Sequence, residues 1–329
     1  MVGAGAWGTT LGRLLAQKGE RVRLLCHSAE QAALLERDRT NTRYLPGFSL
    51  PDGLHATADP GAALEGADLV LLVVPSHAFR EALLGLCERL PPEALLVSAT
   101  KGIENDTLML MAEVIEDVAG KVARSRACFL SGPSFAREVA QGLPTNIVVA
   151  STDQERSVLA RTRFATSHLR VYSSDDAAGV EVGGALKNVI AIAAGACDAL
   201  GFGHNTRAAL ITRGLAEIAR IAVRKGGNPL TLAGLAGMGD LVLTCTGELS
   251  RNRTVGFEMG KGRPLGEVLA SLGHVAEGVR TSKSAHHLAE RLGVELPICA
   301  EVYRVLYEGK PPLVAVEELL TRPLKKEWG

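Results

Sequence analysis

The sequence predicts an α/β protein in two parts: a doubly wound, parallel-sheet domain over residues 1–176 and an all-α domain over residues 177–329. Three observations lead to this prediction. Short Leu- and Val-rich runs alternate with helical patterns in the first half, no comparable strand run follows about residue 172, and 329 residues suit two domains of ordinary size.

The parallel sheet of the first half is predicted from nearly continuous apolar runs, which are typical of strands buried on both faces of such a sheet. The predicted strands are Arg21–Cys26, Asp68–Val74, Ala94–Ser98, Ala127–Leu130 and Asn146–Ala150, with Arg170–Tyr172 as a candidate last one. Between them, His77–Leu90 and Asp106–Val118 carry apolar residues three and four apart, the spacing of amphipathic helices. This alternation of strand and helix predicts parallel strands joined by helical crossovers.

The second half has a different texture, rich in Ala, Leu and Gly. Residues 173–176 (SSDD) form a polar break of the kind that caps helices, so we place the domain boundary near residue 176. The clearest predicted helices are Ala177–Leu200, Asn205–Lys225 and Glu277–Leu292.

Composition excludes several classes of protein. Lys and Arg together equal Asp and Glu, at 36 each, whereas a nucleic-acid-binding protein usually shows a basic excess. The six cysteines show neither metal nor redox spacing, so we expect reduced, mostly buried thiols and no metal site. We see no signal-like segment and expect no membrane insertion, which together predict a cytoplasmic protein.

A glycine-rich loop opens the chain, where Gly3, Gly5 and Gly8 match G-x-G-x-x-G ahead of a helical pattern. Such glycines permit a tight turn, close approach of a pyrophosphate and close packing of helix on strand. The motif predicts a Rossmann-type site for NAD or NADP, although an ordinary glycine-rich turn is the alternative. Only Met1 and Val2 precede it, so the expected first strand of this fold is nearly absent: either it is very short, or the true start lies upstream.

The residues after the second strand of such a domain discriminate between the two cofactors. An acidic residue there favours NAD, but this chain has Cys26, His27 and Ser28. No carboxylate repels a 2′-phosphate, and His27 or Ser28 is able to bind one, which slightly favours NADP. The alternative for His27 is a solvated loop residue.

Three predicted strands end in loops with polar residues, where ligands of open α/β sheets bind. Ser76 follows one strand, Lys101 follows another, and residues 131–136 (SGPSFA) follow a third. Lys101 is able to neutralise a phosphate or polarise a carbonyl. For each loop the alternative is turn chemistry, since Gly, Pro and Ser dominate turns.

Lys187 is the exceptional polar residue of an apolar, glycine-rich helical stretch. Gly183, Gly184 and Ala191 share its face, so that another part of the protein can approach closely. A lysine in such surroundings has a lowered pKa and suits acid–base catalysis, whereas the alternative is a lysine that extends to solvent at a helix edge. Asp240, in a glycine-lined bend, is a candidate partner for Lys187 or for a substrate hydroxyl, or else a helix N-cap.

The segment Leu249–Thr254 (LSRNRT) concentrates two guanidinium groups, two hydroxyls and an amide. Arginine offers a planar fork suited to phosphate oxygens, and a helix that begins near Asn252 would add N–H donors. We expect an anionic substrate group to bind here. The alternative is a capped helix with solvated arginines.

Taken together, these segments resemble the bacterial-type NAD(P)-dependent glycerol-3-phosphate dehydrogenases over nearly the whole chain. The motifs occur in the family's order: GAGAWGT, NTRYLPG, TKGIE, SGPSFA, GALKNVIAIAAG, GMGDLVLTC, SRN and AEGVRT. The resemblance implies interconversion of glycerol 3-phosphate and dihydroxyacetone phosphate for glycerophospholipid synthesis. It also implies a homodimer, and a second domain similar to the C-terminal domain of 6-phosphogluconate dehydrogenase.

The resemblance further implies the roles of individual residues. Lys187 matches the family's proton-exchanging lysine, with Asp240 beside it in the catalytic site. The implied substrate contacts are Lys101, Gly132, Ser134, Lys187, Asp240, Ser250, Arg251 and Asn252. The implied cofactor contacts are Gly3, Gly5, Ala6, Trp7, Gly8, His27, Lys101, Ala136, Arg251, Val275 and Glu277.

Two other functions remain open at this point. A β-hydroxyacid dehydrogenase shares the two-domain plan and a helix lysine, and would bind its carboxylate at Ser250–Arg253. A nucleotide-sensing protein would bind NAD(P) without turnover.

Overall fold

The computed structural model describes residues 1–273, 275–324 and 326–327. Its first half is built on a twisted sheet of β1 (Val22–Leu25), β2 (Leu54–Thr57), β3 (Leu69–Leu72), β4 (Leu95–Ser98), β5 (Ala127–Ser131), β6 (Thr145–Ala150) and β7 (Leu169–Ser174). Strands β2 and β1 pair at one end, and β3 to β7 follow in chain order. The candidate strand at residues 170–172 is thus confirmed as the core of β7.

Val2 joins these two groups of strands into one sheet. It forms parallel bridges with Leu25 of β1 and Leu72 of β3. Its N–H donates to the Leu71 carbonyl at 2.7 Å, and its carbonyl accepts from the Val73 N–H at 2.8 Å. The nearly absent first strand is therefore a single residue, which suffices to hold the glycine loop at the centre of the sheet.

Two sheet predictions need correction. Strand β2 escaped prediction because Leu54–Thr57 contains only one strongly apolar residue. Strand β6 runs antiparallel to β5, although β7 is parallel to β6. The connection between β5 and β6 carries only a five-residue helix instead of a full crossover helix, and the strand after it returns in the opposite direction.

The helices of the first half surround this sheet. They are α1 (Ala6–Gln17), α2 (Ala29–Asp38), α3 (Pro60–Leu64), α4 (Phe79–Leu84), α5 (Met111–Ser125), α6 (Ala136–Ala140) and α7 (Gln154–Phe164). The predicted helix His77–Leu90 is broken into α4 and two 3₁₀ turns, Ser76–Ala78 and Cys87–Arg89. The helix predicted from Asp106 begins only at Met111, because Leu108 has a positive φ and Ile103 bridges to Leu110.

The second half is helical throughout its described part. Its helices are α8 (Ala177–Ala199), α9 (His204–Arg224), α10 (Pro229–Leu232), α11 (Asp240–Thr246), α12 (Arg251–Gly260), α13 (Leu265–Leu272), α14 (Glu277–Leu292), α15 (Pro297–Tyr307) and α16 (Pro312–Leu320), with a π-helical turn at Leu235–Gly239. Asp176 caps α8 by accepting from the Gly179 N–H at 2.8 Å. The predicted polar break therefore belongs to two elements: residues 173 and 174 end β7, and Asp176 caps α8.

Helix α8 is the central element of this helical part. Among the described residues it is the one helix long and apolar enough to cross a membrane, yet 89% of its most apolar window is buried inside the protein. A Cβ added at Gly195 would lie 1.9 Å from the Arg253 carbonyl oxygen, and one at Gly256 would lie 1.8 Å from that of Ile192. Glycine at these two positions therefore allows the backbones of α8 and α12 to lie in direct contact.

Most of the cysteines are buried, as predicted. All six are free thiols, and each except Cys87 is buried. No group of three or more His, Cys, Asp or Glu side chains suited to a metal ion occurs in the part of the chain that the structure describes.

Candidate active site

The three loop glycines each have a distinct structural reason. Gly3 has φ +107°, and a Cβ there would lie 2.4 Å from the Val73 carbonyl oxygen. A Cβ at Gly8 would lie 1.9 Å from the Gly3 carbonyl oxygen. A Cβ at Gly5, in contrast, would have no protein atom within 4 Å. Gly3 and Gly8 therefore serve the fold, whereas Gly5 borders the open space in front of α1.

The N-terminus of α1 offers donors toward that space. No side chain caps this helix, and the N–H groups of Gly5, Ala6 and Trp7 make no hydrogen bond within the described chain. The Trp7 indole Nε1 is buried and also lacks a partner there. Free amides at the positive end of a helix dipole, next to a glycine, fit a dinucleotide pyrophosphate.

His27 is solvent-exposed just beyond β1. Its backbone N–H donates to Gln31 Oε1 at 3.4 Å. Its imidazole makes no hydrogen bond within the described chain and is therefore available to a ligand. Ser28 instead caps α2, because its Oγ accepts from the Gln31 N–H at 3.2 Å. Of the two residues predicted to contact a 2′-phosphate, His27 is therefore the available one.

A lysine–aspartate–lysine cluster connects the two halves of the chain. Asp240, whose side chain is 1% exposed, begins α11 directly after the π-helical turn. Its Oδ1 accepts from Lys187 Nζ of α8, and its Oδ2 accepts from Lys101 Nζ at 2.7 Å. Lys187 Nζ also donates to Thr244 Oγ1 at 2.9 Å. The structure thus brings together Lys101, Lys187 and Asp240, which the sequence singled out separately.

The electrostatics of this cluster favour a titratable lysine. Burial lowers the pKa of Lys187 to about 8, and the neighbouring Lys101 ammonium acts in the same direction against the opposing effect of Asp240. Burial alone would raise the pKa of Asp240, but the two ammonium groups outweigh it and keep that pKa below its usual value. Asp240 is therefore a carboxylate at neutral pH, while Lys187 exchanges its proton near physiological pH.

The loop after β5 lies against the same cluster. Lys101 Nζ donates to the Gly132 carbonyl oxygen at 3.3 Å, and Ser134 Oγ donates to the same oxygen at 2.9 Å. Gly132 has φ +123°, a conformation that favours glycine. A Cβ at Gly184 would lie 2.7 Å from Ser131 Oγ, so the small face predicted beside Lys187 does admit a close neighbour.

The N-terminus of α12 has the form expected of an anion site. Ser250 caps the helix by accepting from the Arg253 N–H at 3.2 Å. Arg251 is exposed, and the N–H groups of Arg251 and Asn252 make no hydrogen bond within the described chain. The side chain of Asn252 points inward, where it donates to Asn188 Oδ1 at 2.8 Å.

The second guanidinium of that segment does not join the first. Arg253 turns away to Asp198, which it contacts at 2.9 Å through Nε and at 2.7 Å through Nη2. Arg207 binds the other oxygen of the same carboxylate. Of the two guanidinium groups in this segment, that of Arg253 is therefore held by Asp198, which leaves Arg251 as the candidate for the anion.

Glu277 provides a second connection between the halves. Ser76 Oγ donates to Glu277 Oε2 at 2.6 Å, and a Cβ at Gly102, the residue after Lys101, would lie 3.4 Å from that oxygen. Burial raises the pKa of Glu277, although the hydrogen bond from Ser76 opposes that effect. Val275 is exposed just before α14. The carbonyl oxygen of Ala136, at the start of α6, accepts from Thr10 Oγ1 at 3.1 Å, which ties that turn to α1.

Sequence reasoning missed two residues of this site. Thr244 contacts Lys187, and Asn188 supports Asn252. Thr244 lies four residues after Asp240, so the helical spacing of i and i+4 was an available signal. Asn188 offered none, because its contact depends on the approach of α12 to α8.

The chain is similar to known proteins over nearly its whole length. A family model described as the NAD-dependent glycerol-3-phosphate dehydrogenase N-terminus matches residues 1–157, and the corresponding C-terminus model matches residues 176–317. A glycerol-3-phosphate dehydrogenase [NAD(P)+] of Geobacter metallireducens is 53% identical over 329 residues, covering 100% of this chain and 98% of that protein. One from Syntrophobacter fumaroxidans is 50% identical over 327 residues, with 99% and 96% covered.

A solved structure extends the likeness to three dimensions. The glycerol-3-phosphate dehydrogenase of Coxiella burnetii superposes with a TM-score of 0.93 at 40% identity, and 98% of each chain is covered. Both halves of the chain match, and both halves contribute to the lysine–aspartate cluster. The protein therefore belongs to the family of NAD-dependent glycerol-3-phosphate dehydrogenases.

Proposed function

We propose that this protein interconverts sn-glycerol 3-phosphate and dihydroxyacetone phosphate with NAD or NADP. The main support for this proposal is the buried Lys187–Asp240–Lys101 cluster, which lies between the nucleotide-binding sheet and the helical part. It pairs a lysine of lowered pKa with a fixed carboxylate, next to a helix end that suits a phosphate. That combination matches a small phosphorylated ketone.

The cofactor fits the glycine loop, where Gly3 and Gly8 permit the tight turn, Gly5 leaves room, and the amides of Ala6 and Trp7 are donors. The nicotinamide, when bound, supplies or accepts the hydride. Further cofactor contacts in this proposal are His27, Lys101, Ala136, Arg251, Val275 and Glu277. His27, free of a competing carboxylate, favours acceptance of the 2′-phosphate of NADP.

Lys187 holds the proton that the reaction moves. During ketone reduction its ammonium gives a proton to the carbonyl oxygen and stabilises negative charge on that oxygen. During alcohol oxidation the neutral amine takes the proton back. Asp240 and Thr244 orient Nζ through the contacts already described.

The substrate phosphate binds at the start of α12. Arg251 contributes its guanidinium, while Asn252 contributes its backbone N–H rather than its inward-facing side chain. Ser250 shapes this turn as the helix cap. Lys101, Gly132 and Ser134 line the opposite side, where the Lys101 ammonium attracts the anionic substrate.

The wider setting belongs to the same proposal. The enzyme acts in the cytoplasm as a homodimer and feeds glycerophospholipid synthesis. Residues 1–176 form the cofactor domain, and residues 177–329 form the substrate and catalytic domain, with the residues outside the described ranges assigned by sequence alone.

The central test replaces Lys187 by Ala. We expect the turnover number for dihydroxyacetone phosphate reduction, followed with NADH and with NADPH, to fall by about 100-fold or more. Lys225→Ala is a matched control, because this lysine is also largely buried in an ion pair, with Glu113. The control should retain near-native turnover.

Two outcomes would contradict the proposal. Near-native turnover of Lys187→Ala would remove this lysine from the chemistry. Faster reduction of a carboxylated β-keto acid than of dihydroxyacetone phosphate would favour a β-hydroxyacid dehydrogenase, and cofactor binding without reduction of either ketone would favour a sensing role.

A further inference from the structure

The motif NTRYLPG, which the sequence comparison singled out, has no role in the site described so far. Its first residue, Asn41, is 3% exposed although it lies in the loop between α2 and β2. Asn41 Nδ2 donates to the Ala4 carbonyl oxygen at 3.0 Å and to Thr9 Oγ1 at 2.8 Å. A buried amide side chain is therefore directed at the glycine loop.

The rest of this segment holds Asn41 in place. The Tyr44 N–H donates to Asn41 Oδ1 at 3.3 Å, so both ends of the amide are used. Arg13 Nε, from α1, donates to the Ser49 carbonyl oxygen at 2.7 Å. Thr40 and Ser49 also form an antiparallel bridge, which closes the loop at its base. The segment is thus closed at its base and tied to α1 through Ser49.

A second amide reaches the same carbonyl from another element. Gln31 Nε2, on α2, donates to the Ala4 carbonyl oxygen at 3.2 Å. With Asn41, this fills both lone pairs of that oxygen. The Gly8 N–H would otherwise be the natural α-helical donor to Ala4, but the first hydrogen bond at this end of α1 runs from the Thr9 N–H to Gly5.

The orientation of one peptide plane follows from these contacts. In a trans peptide the carbonyl and the next N–H point in opposite directions, so directing the Ala4 carbonyl at the two amides directs the Gly5 N–H away from them. That N–H has no partner within the described chain, and a Cβ at Gly5 would meet no protein atom within 4 Å. The fixed carbonyl therefore presents a free donor to the open side of the loop.

We infer that Asn41 and Gln31 are positioning residues for cofactor binding, which hold the Ala4–Gly5 peptide with its N–H toward the pyrophosphate. The inference rests on the proposed binding of NAD or NADP at the glycine loop. In this proposal neither the Asn41 nor the Gln31 side chain touches the cofactor. Their contribution is preorganisation, because a loop already in its binding conformation loses less entropy when the ligand arrives.

The experiment measures equilibrium binding rather than turnover. Gln31→Ala and Asn41→Ala are titrated with NADP⁺ and with NAD⁺ by isothermal titration calorimetry, and their melting temperatures are recorded. We expect each change to raise the Kd of both cofactors by roughly 10-fold, the effect of about one hydrogen bond. The KM for dihydroxyacetone phosphate at saturating cofactor should change less than about twofold.

The variants differ in their risk to the fold. Gln31 is half-buried on α2, where Ala is a favourable helix residue, so Gln31→Ala should fold. This variant therefore tests the inference even if Asn41→Ala proves unstable. Asn228→Ala is the matched control: Asn228 caps α10 in the helical part, and its loss should lower the melting temperature without changing either Kd.

Unchanged Kd values in a folded Gln31→Ala would overturn the inference. So would a Gln31→Ala Kd increase reproduced by Asn228→Ala, because the effect would then follow general destabilisation. Failure of the wild-type protein to bind either cofactor would instead refute the proposed function, so the two failures are distinguishable.

Discussion

Replacing Asp240 by Asn tests whether the buried carboxylate sets the protonation state of Lys187. The substitution preserves the shape of the side chain but removes the negative charge that two ammonium groups share. An opposite charge at this range shifts a pKa by about 1–3 units. We therefore expect the pKa of Lys187, about 8 in the native protein, to fall to roughly 5–7.

The magnitude of the rate effect follows from that shift. In the proposed mechanism ketone reduction needs protonated Lys187, so its rate is sustained below the pKa of Lys187 and is lost as the pH rises through that pKa. At pH 7.5 the protonated fraction would drop from about three-quarters to between roughly one-quarter and less than one-hundredth. Reduction should slow by about 3-fold to more than 100-fold at that pH, and should recover substantially as the pH is lowered.

The assay is the pH profile of dihydroxyacetone phosphate reduction from about pH 5 to 9 at saturating NADPH. Asp198→Asn is a matched control, because Asp198 is also a largely buried carboxylate between two cations, Arg207 and Arg253. It should lose stability without moving the alkaline limb. An Asp240→Asn variant with a native alkaline limb would refute the electrostatic reasoning, and a loss of rate that no pH restores would show that Asp240 acts by another route.

Three further predictions concern the phosphate, the cofactor loop and a buried acid. Arg251→Ala should raise the KM for dihydroxyacetone phosphate by about 10–100-fold with a smaller change in kcat, and an unchanged KM would count against phosphate binding there. Gly5→Ala should keep the native melting temperature but weaken NADP⁺ binding in calorimetry, whereas Gly8→Ala should lower the melting temperature; equal stability of the two would contradict the contact analysis. Burial raises the pKa of Glu181 to about 8, so native stability should fall as the pH rises from about 4.5 to 8, with an upper limit of about 5 kcal/mol. Glu181→Gln, which still accepts from the Ala112 N–H, should flatten that dependence in urea unfolding, and an unaltered slope would disprove the assignment.

The sequence was informative wherever function or fold depends on local pattern. Helix Glu277–Leu292 was predicted to its end residues, and Lys187 stood out because a lysine is rare in so apolar a stretch. Hydrophobic periodicity reports burial of a segment, and glycine spacing reports a turn, so the sheet, the main helices and the cofactor loop were all accessible.

What the sequence could not predict depends on contacts between distant segments. Arg251 and Arg253 are equivalent as sequence, and only the position of Asp198 on α8 decides that one is exposed and the other is held. Val2 offers no strand pattern, since one residue has no periodicity, yet two neighbouring strands make it part of the sheet. The direction of β6 likewise depends on the short connection before it rather than on its own apolar residues.

The pKa of Lys187 also depends on contacts between distant segments. Asp240 and Lys187 belong to the helical part, but Lys101 reaches Asp240 from the end of β4 in the sheet. Lys101 lowers the pKa of Lys187, so the acidity of Lys187 includes a contribution from the first half of the chain. The Ser76–Glu277 hydrogen bond joins the two halves at a second place. Removal of the Lys101 charge would raise the pKa of Lys187 only in part, because burial, the largest cause of the lowered pKa, would remain.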